Sequence, residues 1–356
     1  MGTYRISLRR AVPWKQAEVA TRYRWALTAL DPRRSRLFVG RHQASDGAQI
    51  PYRFWPAQSP RALLLLLHGC CDYAGAFDDI APKLAKRGIT CLAYDQRGFG
   101  ATASHGAWTS QDRITQDSRE MTCFLRARVE PSLPLFILGE SMGGSVAVHT
   151  AAQHSDLNIA GLILIAPGAL ASAIRNRFYH WLMRGLGLVA TQSEIMVERT
   201  SAKDLSAAAA IRLLGDPLVM QSIRPDLLDG VIAMGHAAVD AAHKVSVPTL
   251  TMIAGKDDLL RGECVRQLHD NLQGQKIWAP IEDAPHLLLH WRRGDVVLGY
   301  VRRWIGRQLR SVDKNNVTTP ATTMLPEPAN LQASDVGAAI LQATSSLVGD
   351  SQTATL

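Results

Sequence analysis

Gly139-Glu140-Ser141-Met142-Gly143 sets one serine between two glycines, directly after the apolar run Leu133-Pro134-Leu135-Phe136-Ile137-Leu138. A buried strand that breaks sharply into a helix presents such a serine at its turn. Flanking glycines let strand and helix approach where a Cβ would clash. A neutral hydroxyl is a weak nucleophile, so it needs a base within hydrogen-bond reach and an acid to orient that base. Both residue types follow downstream, each at the end of an apolar run. Residues 249–254 lead into Gly255-Lys256-Asp257-Asp258, and 277–281 lead into Glu282-Asp283-Ala284-Pro285-His286, with His290 four residues further on. The residues alone leave Asp257 and Asp258 both open as the acid, and His286 and His290 as the base.

Several elements must position these groups. Five consecutive leucines at 63–67 end in His68-Gly69-Cys70, a wholly apolar run that fits a buried strand. Residues 37–57 alternate as two short antiparallel strands would, with the turn at Ser45-Asp46-Gly47. From Leu63 onward strands and helices alternate, which predicts an α/β fold with a mostly parallel sheet. Helices are expected over 74–87, 111–128, 141–153, 263–272 and 295–309. Between the strand ending near Gly168 and the one beginning at Thr249 lie about eighty residues without a strand signal.

With these motifs in view, the chain resembles the α/β-hydrolases of the monoacylglycerol lipase and lysophospholipase group, also classed with serine aminopeptidase-like hydrolases. The resemblance covers roughly residues 37–309. Asp95-Gln96-Arg97-Gly98-Phe99-Gly100 is similar to the family's D-x-R-G-x-G loop, Asp216-Pro217-Leu218-Val219 to a cap-region motif, and Val247-Pro248-Thr249-Leu250 with the following G-x-x-D to its acid strand. The resemblance implies an eight-stranded-type sheet flanked by helices, with a helical cap. It implies a triad of Ser141, Asp258 and His286, with backbone amides of Cys70 and Met142 as the oxyanion hole. Asp257 is then expected to be solvated or capping, His290 structural, His68 a loop brace, and Asp95 and Arg97 loop supports. The departure is at Cys70-Cys71-Asp72, where the family often has a small residue followed by Gly or an acid.

The expected organisation is a basic N-terminal extension over 1–36, with helical character near 14–30, and a first core half over 37–168. A helical cap follows over 169–245, a second core half over 246–310, and a disordered tail over 311–356. The net charge is +8, yet the first 41 residues alone carry ten Lys/Arg against Glu18 and Asp31. That segment reads as a solvated arm or packed helix, with contact to anionic membrane as the alternative. No basic–aromatic platform supports nucleic-acid binding. No apolar stretch is long enough to span a membrane, and the N-terminus lacks the pattern of a secretory leader. Five cysteines, two of them adjacent, do not form a disulfide framework and fit a reducing, cytoplasmic setting. Cys91 and Cys123 are expected to be buried.

The expected function is hydrolysis of a small-molecule acyl ester through an acyl-enzyme, with no cofactor and no metal. A single-acyl lipid is the substrate class that the resemblance implies. Aminopeptidase chemistry would need an amine-binding acid in the cap, for which Glu194, Glu198, Asp204, Asp226 and Asp229 are candidates. Acyl transfer and a non-enzymatic receptor or scaffold stay open. Dehalogenase and epoxide hydrolase chemistry would need an aspartate where Ser141 stands. Phe178, Tyr179 and Trp181 are equally suited to line an acyl pocket or to fill the cap's own core.

Overall fold

Leu63, Leu65 and Leu67 point to one face of a sheet and Leu64 and Leu66 to the other, as the two-residue period of a strand requires. Both faces are covered, so all five leucines are fully buried. Each contributes about 1.5–3 kcal/mol by leaving water. The computed structural model describes residues 8–10, 37–169, 193–196 and 202–316. The helix expected over 14–30, the aromatics Phe178, Tyr179 and Trp181, Glu198, and the tail beyond 316 lie outside the described residues.

The main sheet contains β1 (Phe38–Gln43), β2 (Gln49–Trp55), β3 (Ala62–Leu67), β4 (Ile89–Tyr94), β5 (Leu135–Glu140), β6 (Ile159–Ile165), β7 (Thr249–Lys256) and β8 (Lys276–Pro285). Their order across the sheet is β1-β2-β4-β3-β5-β6-β7-β8. β2 is antiparallel to both β1 and β4, and every other pair in this sheet is parallel. The chain passes from β3 to β4 on one side and then back across β3 to β5. The carboxyl ends of β3 and β5 therefore flank the switch point, where α/β sheets open a crevice.

Helices α2 (Gln111–Arg128) and α3 (Met142–Gln153) follow β4 and β5. α6 (Gly262–Asn271) follows β7, and α7 (Gly294–Asn316) follows β8, running past the expected boundary at 310. The helix expected over 74–87 is instead a 3-10 turn, Ala74–Phe77, and a separate α1, Ala81–Ala85. Pro82 explains the break. It has no N–H to donate to a carbonyl four residues back, so it is accommodated in the first turn of α1, where no such bond is needed, but not in the middle of a longer helix.

In the region expected as cap, α4 (Ala207–Gly215) is capped by Ser206, whose hydroxyl accepts the Ala209 N–H, and α5 (Pro225–Ala241) has proline in its first turn. This insertion also holds two short strands, contrary to the sequence reading. Ser193–Met196 pairs antiparallel with Leu8–Arg10 and with Ser222–Ile223. Cys91 is buried, but Cys123 is exposed on α2, because its position falls off that helix's apolar face.

Candidate active site

Ser141 stands between the end of β5 and the first residue of α3, with φ of +52°. A side-chain-bearing residue in this region costs about 1–3 kcal/mol and persists only where the surroundings impose it. Here they do. The Ser141 N–H donates to the Ile165 carbonyl (2.9 Å), and its own carbonyl accepts from Gly144 N–H (2.9 Å) and Gly168 N–H (2.8 Å). A Cβ at Gly139 would strike the carbonyl oxygen of Gly143, and one at Gly143 would strike that of Leu67. The two glycines are what allow the turn to close.

His286 follows the last residue of β8. Its Nδ1 lies 2.8 Å from Asp257 Oδ2 and its Nε2 lies 2.9 Å from Ser141 Oγ. The carboxylate can only accept, so Nδ1 carries the proton and Nε2 is left to accept the serine hydroxyl hydrogen. The His286 and Asp257 side chains are 5% and 11% exposed, so little water competes for these bonds. Burial works to raise the Asp257 carboxyl pKa. The hydrogen bond from His286, with two backbone N–H donors, outweighs it and holds the carboxyl below its ordinary value.

The acid is the correction to the sequence reading. Asp257, not Asp258, reaches His286, while Asp258 is exposed. The reason is strand parity. The pairing of β7 with β8 shifts register between Ala254 and Lys256, where Gly255 presses on the Glu282 backbone. Asp257 is the first residue past the strand. Its Oδ1 accepts the N–H groups of Leu259 and Leu260 (2.9 Å each), closing the turn and aiming Oδ2 at the imidazole. It is therefore both the capping acid that the sequence suggested and the histidine's partner.

His290 does not approach Ser141. Its Nε2 lies 3.2 Å from Glu140 Oε2, and Glu140 Oε1 accepts the Leu289 N–H (3.2 Å). Glu140 is 2% exposed. The residue just before the serine thus grips the turn that follows His286. Sequence reasoning passed over it as the variable position of the motif; a carboxylate inside an otherwise apolar strand end was the available signal.

Cys70 lies in the loop after β3. A Cβ at Gly69 would sit 3.3 Å from the Ser141 Cβ, so this loop passes directly against the serine. Met142, as the first residue of α3, has no intrahelical acceptor for its N–H. His68 is completely buried. Its Nε2 accepts the Gln96 N–H (3.0 Å), so its Nδ1–H donates to the Gly69 carbonyl (2.8 Å). Burial pushes its pKa down to about 4, which keeps it neutral as a loop brace. Asp95 accepts from the N–H groups of Ala74 (3.0 Å) and Ala101 (2.8 Å), and burial raises it to about 6. Arg97 binds Asp117 on α2 (2.6 Å) and Asp46 in the β1–β2 turn (2.7 Å). Of the acids considered for amine binding, Asp226 is held by Arg224 (2.9 Å).

An eight-stranded, mostly parallel sheet with a strained serine after its fifth strand defines the α/β-hydrolase fold. A model of the serine aminopeptidase S33 family matches residues 58–290, and the chain belongs to that family. It is 24% identical over 289 residues to an uncharacterized abhydrolase domain-containing protein of Dictyostelium discoideum; the match covers 78% of this chain and 30% of that protein. Human monoglyceride lipase is 23% identical over 281 residues, covering 74% of this chain and 89% of the lipase. A solved structure of a soluble variant of monoglyceride lipase from Saccharomyces cerevisiae, in complex with a substrate analog, has a TM-score of 0.64 at 20% identity. It covers 79% of this chain and 99% of the yeast one.

Proposed function

We propose that this chain is a serine hydrolase that cleaves the carboxylic ester of a single-acyl lipid, of the monoacylglycerol or lysophospholipid kind. The observation behind it is the unbroken line Ser141 Oγ–His286–Asp257, with bonds of 2.9 and 2.8 Å, ending on a serine held in a strained turn. His286 Nε2 takes the hydroxyl proton as Ser141 attacks the ester carbonyl. Asp257 holds the tautomer and stabilises the imidazolium. The backbone amides of Cys70 and Met142 receive the developing oxyanion, each worth about 3 kcal/mol in the transition state. His286 then protonates the leaving alcohol, and water, activated by the same imidazole, frees the acid.

The substrate class comes from the monoglyceride lipases among the relatives. The basic charge of the first 41 residues suits contact with anionic bilayers, and the cysteine usage suits a cytoplasmic setting. The test compares fatty-acid release from 1-acylglycerol and from lysophosphatidylcholine with cleavage of aminoacyl anilides, wild type beside Ser141→Ala. Release from the lipids that vanishes in the variant is expected. Cleavage of the anilides alone would replace the ester reading with the aminopeptidase one.

A further inference from the structure

Cys70 and Cys71 follow one another in the loop after β3, both as thiols, with their Sγ atoms 3.5 Å apart. In extended chain, consecutive side chains point to opposite sides. Here Cys71 has φ of +64°, and the bend turns both sulfurs the same way. Cys70 is half-buried and Cys71 is 2% exposed, and both pack in the apolar cluster that holds Met142 and Phe99. The loop has little slack. The Cys71 carbonyl accepts the Met220 N–H (3.0 Å), and the next residue, Asp72, is ion-paired with Arg212.

We propose that this pair is an oxidative modification site, where a peroxide joins the two thiols in a vicinal disulfide and disables the loop beside Ser141. The half-buried Cys70, as thiolate, attacks one oxygen of hydrogen peroxide and breaks the O–O bond. This leaves a sulfenic acid on Cys70, and the departing hydroxide is protonated to water. The Cys71 sulfur then attacks the sulfenyl sulfur, forms the S–S bond and expels a second water. Two thiols are oxidised by two electrons, and one peroxide is reduced to two waters. The two Cα atoms are a single peptide apart, about 3.8 Å, closer than those of ordinary disulfides. Closing the eight-membered ring must therefore twist the peptide next to the Cys70 N–H, and a strained ring is readily reduced again. The chemistry stands on the sulfur geometry alone, whereas the loss of activity rests on the proposed esterase function.

The test exposes the full chain to hydrogen peroxide, then follows p-nitrophenyl ester turnover and the mass of tryptic peptide 62–83. The expected result is a peptide lighter by two hydrogens and resistant to alkylation. Turnover should fall about 10²-fold, as for loss of one oxyanion donor, and dithiothreitol should restore both. Cys71→Ser should keep its turnover in peroxide, and Cys123→Ser should lose it as wild type does. Should Cys71→Ser fail to fold, the wild-type mass and its reversal still decide. A peptide that stays a dithiol, a disulfide that leaves turnover intact, or a loss that dithiothreitol does not reverse would each overturn the proposal. Disulfide formation in a chain with no ester turnover even when reduced would instead sink the esterase reading and leave the modification site standing.

Discussion

Asp257→Asn and Asp258→Asn differ by one position and should differ by orders of magnitude in turnover. In the wild type, Asp257 Oδ1 accepts two backbone N–H groups at 2.9 Å each, and Oδ2 accepts the His286 Nδ1–H at 2.8 Å. An asparagine must choose which end faces the amides. Turning its NH2 toward two N–H donors would leave all three without acceptors, so the carbonyl stays on Leu259 and Leu260 and the NH2 faces His286. It then donates to Nδ1 and moves the imidazole proton to Nε2, where it cannot accept the Ser141 hydrogen. The same inversion of tautomer in a serine protease costs about 10⁴ in kcat, or about 5.5 kcal/mol of barrier. We therefore expect Asp257→Asn to lose 10³–10⁴-fold in kcat for a p-nitrophenyl ester, with KM changed little and near-wild-type circular dichroism. Asp258→Asn should stay within about threefold, since an exposed side chain away from the histidine contributes little. A large loss in Asp258→Asn with Asp257→Asn still active would refute the reasoning.

Two further substitutions probe the frame around the site. Glu140→Leu leaves the Leu289 N–H without its buried acceptor; it should cost about 1–3 kcal/mol in urea unfolding. Glu140→Gln should fall between the two, and a Leu variant as stable as wild type would remove Glu140 from the account. Glu120, on α2, works against its own burial: hydrogen bonds from Ser45 and Arg113 bring its carboxyl down to about 2. A carboxyl depressed on folding stabilises above its unfolded pKa and loses that contribution as pH falls toward the folded one. Glu120→Gln should thus cost about 1 kcal/mol at pH 7 after solvent screening, and the gap to wild type should narrow below the ordinary carboxyl range and close only as pH falls through about 2. A gap that widens on acidification would contradict this.

Much of the site was legible because its constraints are local. The leucine run, the helix over 111–128 and the glycines around Ser141 each follow from spacing that only one backbone path satisfies. What escaped depended on partners distant in sequence. The acid was misplaced by one residue because parity at the end of β7 is set by the irregular pairing at Gly255, and that pairing belongs to β8 as much as to β7. Glu140 was overlooked because its role lies in the turn after His286, about 150 residues away. The break at Pro82, by contrast, was readable from proline chemistry, and the apolar residues on both sides hid it.

The most direct test of the central claim is covalent. A long-chain fluorophosphonate, which reacts with a serine only where a base and oxyanion donors converge on it, is added to the full-length protein, and the intact and peptide masses are read. The account predicts one phosphonyl adduct, carried by Ser141, absent in Ser141→Ala and strongly slowed in Asp257→Asn. An adduct on another residue, or a folded wild type that stays unlabelled, would contradict it.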